Sequence, residues 1–202
     1  MDAVHAARTL EVIRTLMERT TQYQLLTARA GLAAGSLASV GALAFVWLDA
    51  SNPLVFGLVW GGVFFGSLAA TVVSTIWRGR TQGEKIWSRQ ARAVVWALMP
   101  ALLAALALSV FFFVRGDHLW LPGVWMLCYG QGASATAPYA PAPIRYFGFL
   151  TLMLGAVTLG LGPAWAVLMM GLVFGAGHIT LGIVLLAAEQ RQRKLRLHRW
   201  VA

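Results

Sequence analysis

Cysteine, carboxylate and charge in general are what this 202-residue chain has least of. Its single cysteine, Cys128, excludes an intramolecular disulfide and any thiol-rich metal motif, and leaves the redox compartment unspecified. Charged residues make up 11% of the chain against 59% hydrophobic, whereas about a quarter of a soluble domain is charged. Such a chain has too little polar surface to cover itself, so lipid is its expected solvent. The seven carboxylates, Asp2, Glu11, Glu18, Asp49, Glu84, Asp117 and Glu189, all fall outside the apolar segments or at their very ends. Proton-coupled carriers, cation channels and intramembrane metalloenzymes use buried Asp or Glu as relays or ligands, and this distribution argues against all three. No H-E-x-x-H helix, G-x-S-x-G elbow or phosphate-binding loop is present, and no metal site is expected. Residues 2–29 contain no continuous apolar core of the signal-peptide kind, so no cleaved secretory signal is expected.

What the chain has in abundance is apolar runs. Six of them, at about 28–48, 54–77, 93–114, 119–137, 146–161 and 164–187, predict an all-α integral membrane protein, a bundle of six transmembrane helices. An amphipathic helix is expected first: Leu10, Ile13 and Met17 recur at helical spacing, with Arg8, Glu11, Arg14, Glu18 and Arg19 on the remaining surface. It reads as an interfacial anchor, and Glu11, Arg14 and Glu18 are its candidate partner contacts. The domain organisation is therefore an interfacial segment 1–27, a membrane domain 28–187 and a basic tail 188–202. The pairs Gly57/Gly61 and Gly62/Gly66 have small-xxx-small spacing and are expected to pack the second span inside the bundle, with a homodimer face as the other use. The fourth segment turns polar after Trp125 and should be enclosed by other helices or line a cavity. Fifteen of the sixteen Lys and Arg fall in segments that six crossings place on one side, and Arg115 stands alone on the other. By the positive-inside rule both termini should be cytoplasmic. The formal net charge of +9 then reflects loop retention and anionic headgroups rather than nucleic acid.

His178 is the one histidine inside an apolar run, and an ionisable residue there is a default site hypothesis. With Thr180 on the sixth span and Cys128, Tyr129 and Gln131 on the fourth, it forms the candidate polar cluster. The plainest use is a neutral ring hydrogen-bonded to Tyr129 or Gln131 to fix helix packing; such bonds contribute about 0.6 kcal/mol in membranes. The other uses are a pocket for a small ligand or lipid, and haem ligation by His178 with Met126 or Met153, although no second intramembrane histidine is present. No cofactor is expected.

The segments Ile13 to Arg19, Leu121 to Gly130, Phe149 to Gly155 and Gly171 to Gly182 together resemble a family of small bacterial membrane proteins of about this length. Its members share an I-R-x-x-M-E helix, an L-P-G-x-W-x-L-x-Y-G segment and a G-x-x-H-I-x-x-G span, onto which Ile13, Arg14, Met17, Glu18, Leu121 to Gly130 and His178 to Gly182 map. The resemblance implies a bacterial inner-membrane location and marks His178, Tyr129 and Glu18; it supplies no substrate. The basic tail and the proline-rich stretch from Pro138 to Pro143 depart from the shared pattern. The leading functional expectation is a non-catalytic accessory, sensory or assembly component that meets the bilayer and a membrane or cytoplasmic protein, with homo-oligomerisation left open. A small-solute or lipid transporter is the alternative, and a haem- or ligand-binding subunit the third reading.

Overall fold

In lipid a chain must satisfy its main-chain polar groups within each segment, and helices do so. The computed structural model describes residues 28–83 and 86–201, without the side chains of residues 82 and 192–201. The amphipathic segment with Glu11, Arg14 and Glu18 lies outside the described residues, as does Glu84. The described residues form helices and contain no strand: α1 (Ala28–Ala44), α2 (Pro53–Gln82), α3 (Arg89–Arg115), a short 3-10 turn (His118–Trp120), α4 (Leu121–Ala135) and α5 (Ala142–Leu161). The last helix, α6, starts from a 3-10 turn (Pro163–Trp165) and runs through Ala166–Met170, a π-helical stretch (Gly171–Ala176) and Gly177–Val201. Four of these are long and apolar enough to cross a membrane: Pro53–Thr81, Arg89–Arg115, Ala142–Leu161 and Pro163–Arg191. The helices α1 and α4, with 17 and 15 residues, cover about 25 and 22 Å at the usual rise.

Local chemistry sets the ends. The helix α1 stops at Ala44 rather than continuing to residue 48, because the next amides switch to three-residue bonds, Phe45 to the Ala42 carbonyl at 3.2 Å and Val46 to that of Leu43 at 3.0 Å. Asp49 then builds a tight polar turn, accepting from the Ser51 amide at 2.9 Å and the Ser51 hydroxyl at 2.8 Å. Asn52 caps α2, its Oδ1 accepting from the amides of Leu54 and Val55, with Pro53 in the first helical position. Gly116 ends α3 at φ 78, a backbone only glycine adopts freely, and its amide donates to the Phe112 and Phe113 carbonyls.

The six helices pack as two layers of three. In one, α1 lies between α2 and α6; in the other, α4 lies between α3 and α5. Glycine makes the close approaches. On α1, Gly31 and Gly35 face Gly182 and Ile179, while Gly171 and Gly175 of α6 face Ala42 and Ser39. Between α4 and α5, Gly123 and Gly130 abut the main chain of Gly155 and Leu152. Such contacts bring backbones together where lipid supplies little hydrophobic force. The expected role for the α2 glycines does not hold as stated: Gly61 and Gly62 face open space, and Gly57 and Gly66 touch only the side chains of Phe113 and Leu37. Helical spacing shows that two glycines share a face, not which neighbour that face meets.

Apolar contacts close the seam between the layers at both ends. Toward the Asn52 end, Ala38, Phe56, Trp60, Leu121, Met126, Met169, Met170 and Val173 form one cluster; toward the other end, Ala28, Ala140, Ile144 and Leu185 form a second. At that second end the Arg78 guanidinium of α2 lies 2.6 Å from the Glu189 carboxylate of α6, and the Arg29 guanidinium of α1 lies 4.5 Å from the Trp77 ring. The opening of α1 and the far ends of α2 and α6 therefore meet at one end of the bundle.

Candidate functional site

The seam turns polar at one level, where Tyr129 of α4 meets His178 of α6. The phenol oxygen is 2.9 Å from His178 Nε2. Phe174, one turn before His178, stacks on the imidazole with ring centroids 5.8 Å apart, and Phe147 of α5 meets it edge-on at 4.7 Å. The imidazole is thus held by three elements, and His178 is only 8% exposed. Its Nδ1 is buried without a hydrogen-bond partner; the main chain at Val173 and Phe174 approaches the ring without reaching bonding geometry. A ring carrying its proton on Nδ1 turns that N–H toward the preceding turn and leaves Nε2 to accept from the phenol.

The π-helical turn explains how α6 serves two neighbours at once. Its wider winding falls at Gly171–Ala176, immediately before His178. It lets Gly171 and Gly175 meet α1 while Phe174 and His178 reach α4 and α5.

Of the five residues in the candidate cluster, only Tyr129 and His178 come together. Gln131 and Thr180 are exposed, and the Thr180 hydroxyl donates to the Ala176 carbonyl of its own helix at 2.9 Å. Each stands two residues from a member of the pair, about 200° around a helix, so both point away from the seam. Cys128 is a half-buried free thiol. Of the two methionines named for haem, Met126 is fully buried with its sulfur 3.5 Å from the Thr158 hydroxyl, which also donates to the Leu154 carbonyl at 2.7 Å, and Met153 is exposed. Among the described residues no three His, Cys, Asp or Glu side chains converge.

The fourth segment is enclosed, as its composition suggests, and its small residues close contacts rather than line a space. A Cβ at Gly132 would lie 2.8 Å from Leu98 and one at Gly123 2.6 Å from Leu159. Two shallow apolar depressions lie on the bundle surface, one of about 360 Å³ at Pro53, Leu54, Gly57, Leu58 and Phe113, the other of about 440 Å³ along Val40 to Leu48. Neither touches Tyr129 or His178.

Sequence reasoning did not single out His118. It is buried between Phe56, edge-on at 5.2 Å, and Phe113, stacked at 5.9 Å, with Nε2 3.0 Å from the Ala50 carbonyl. It ties the Asp49 turn to the turn after α3. Its place in a polar connection, flanked by charge, gave no sign of this burial. No protein-family model, curated protein or solved structure matches the chain.

Proposed function

We propose that the chain is a bacterial inner-membrane protein of six spans with both ends cytoplasmic, and that it serves as a non-catalytic accessory, sensory or assembly component. The resemblance to the family of small bacterial membrane proteins belongs to this proposal. In it the Tyr129–His178 pair is a packing lock between the two helix layers, and partners engage the amphipathic segment with Glu11, Arg14 and Glu18 and the basic segments on the cytoplasmic side.

The observation that carries the lock is the filled surrounding of His178: Nε2 is engaged by Tyr129, and Phe147 and Phe174 cover the ring. A ligand site would keep that nitrogen or one ring face open. Six crossings are supported by Arg78 and Glu189. Were only the four long helices to cross, these two residues would end on opposite faces; their 2.6 Å ion pair favours one more crossing between α3 and α5, and α4 is the segment for it. The Arg29–Trp77 contact supports a crossing by α1 in the same way.

The test is gentle purification from the native membrane, with an absorption spectrum and native mass spectrum of wild type beside His178→Ala. The expected result is a colourless protein without any adduct that depends on His178, bringing a second protein in fixed ratio that is lost when Glu11 and Glu18 are neutralised. A Soret band, or a bound mass that disappears in the variant, contradicts the reading.

A further inference from the structure

One face of α3 has no described neighbour and changes character along its length. Arg89, Arg92, Trp96, Met99, Leu103 and Leu106 recur at alternating spacings of three and four, so they share that face. All six are exposed, Trp96 at 72% and Leu103 at 57%. Ala91 and Ala105 are the residues α3 buries. The stripe thus begins with two guanidinium groups, passes through an amphipathic indole and ends in aliphatic side chains.

Charge decides what fits it. Glu189 is the one described carboxylate at this end of the bundle, and it is taken by Arg78. Among the described residues, no carboxylate pairs with Arg89 or Arg92. A second copy of the chain in the same membrane orientation, packed through this stripe, would set its own Arg89 and Arg92 against these two. An anion attached to something apolar complements both parts of the stripe. The lengths agree: Trp96 lies about 6 Å beyond Arg92 along the helix, and Leu103 about 16 Å, at the usual rise, while one leaflet of hydrocarbon is about 15 Å thick.

We infer that this face binds an anionic phospholipid, its phosphate paired by Arg89 and Arg92, its glycerol level at Trp96 and its acyl chains along Met99 and Leu103. The inference rests on the reading of the chain as a membrane protein.

The test incubates purified full-length protein in detergent with equal amounts of phosphatidylglycerol and phosphatidylcholine of the same acyl chains, and counts adducts by native mass spectrometry. Each basic side chain near an anionic lipid is worth about a five-fold preference, so Arg89→Gln with Arg92→Gln should lower phosphatidylglycerol retention about thirty-fold. Arg145→Gln with Arg191→Gln removes the same charge elsewhere and should leave most of it. Circular dichroism confirms that each variant is folded. Equal retention of the two lipids by wild type, or an unchanged double variant, overturns the inference, and so does a dimer cross-linked through Leu103→Cys. A chain that stays soluble without detergent would instead overturn the membrane reading itself.

Discussion

A methyl group added at Gly155 tests whether α4 and α5 are held by backbone contact. A Cβ there would lie 2.7 Å from the Leu127 amide nitrogen, 2.9 Å from Met126 Cβ and 3.0 Å from the Gly123 carbonyl oxygen. Ordinary contact begins at 3.4 Å, so the helices must part by roughly 0.7 Å, the difference between 3.4 and 2.7. Two of the three obstructing atoms are main chain, and Met126 is fully buried, so no flexible tip can yield. Overpacking of this kind costs about 1–3 kcal/mol. Alanine also improves helix propensity over glycine by about 1 kcal/mol, which blurs a single measurement. Gly61→Ala supplies the control, because a Cβ there meets nothing within 4 Å and gains the same propensity. The difference between the variants isolates the steric cost: Gly155→Ala should be less stable than Gly61→Ala by about 1–3 kcal/mol. Denaturation in mixed micelles with rising dodecyl sulfate, followed by tryptophan fluorescence, reads it. Equal midpoints would refute the close α4–α5 packing.

Three further outcomes are expected. Tyr129→Phe, which keeps the ring and removes the hydroxyl, should lower stability by about 0.6 kcal/mol and at most about 2 in the same titration, while His178→Ala, which also vacates the seam, should cost more; the reverse order would exclude a packing lock. The side-chain hydrogen bond from Ser51, reinforced by the Ser51 amide, holds the Asp49 carboxyl below the usual carboxylate range. A lowered folded value means that this turn is stabilised above the ordinary carboxylate pKa and loses that contribution as pH falls through the folded value. Carboxyl titration by NMR should show the Asp49 midpoint rising toward the ordinary value in Ser51→Ala, and an unchanged midpoint would remove the turn's hydroxyl from the account. Arg78→Glu with Glu189→Arg should recover stability lost in either single variant; because Glu189 is partly exposed, the recoverable amount is about 0.2–1 kcal/mol, and a double variant no better than the worse single would mean the pair contributes nothing.

Helix order was legible because apolar runs and their polar breaks follow from the bilayer and from turn chemistry: the Asp49 to Pro53 stop, Gly116 and the Gly162 turn all stand where the sequence places them. The facing of each helix was less so. The pairs Gly57/Gly61 and Gly62/Gly66 have the four-residue spacing of Gly31 and Gly35, yet the latter meet α6 while Gly61 and Gly62 meet nothing described, since partner choice depends on tertiary arrangement. Tyr129 and His178 were readable as groups at similar depth on helices of opposite sense. Phe174 had a local signal, its four-residue spacing from His178, whereas Phe147 reaches the ring only because glycine lets α5 close on α4. Gln131 and Thr180 look alike by composition and differ by their angle around the helix. The Arg78–Glu189 pair joins residues 111 positions apart, and no local pattern announces it.

The most direct test of the account is the sidedness of four connections. In a Cys128→Ser background, single cysteines at Ser51, Ser88 and Pro138, and at Gly160 in the last turn of α5 before its connection to α6, are exposed to a membrane-impermeant thiol reagent in intact cells. Six crossings with cytoplasmic ends predict that Ser51→Cys and Gly160→Cys react from outside, and that Ser88→Cys and Pro138→Cys react only after permeabilisation. Labelling of Pro138→Cys from the same side as Ser51→Cys would mean that α4 does not cross, and the account would fail at its centre.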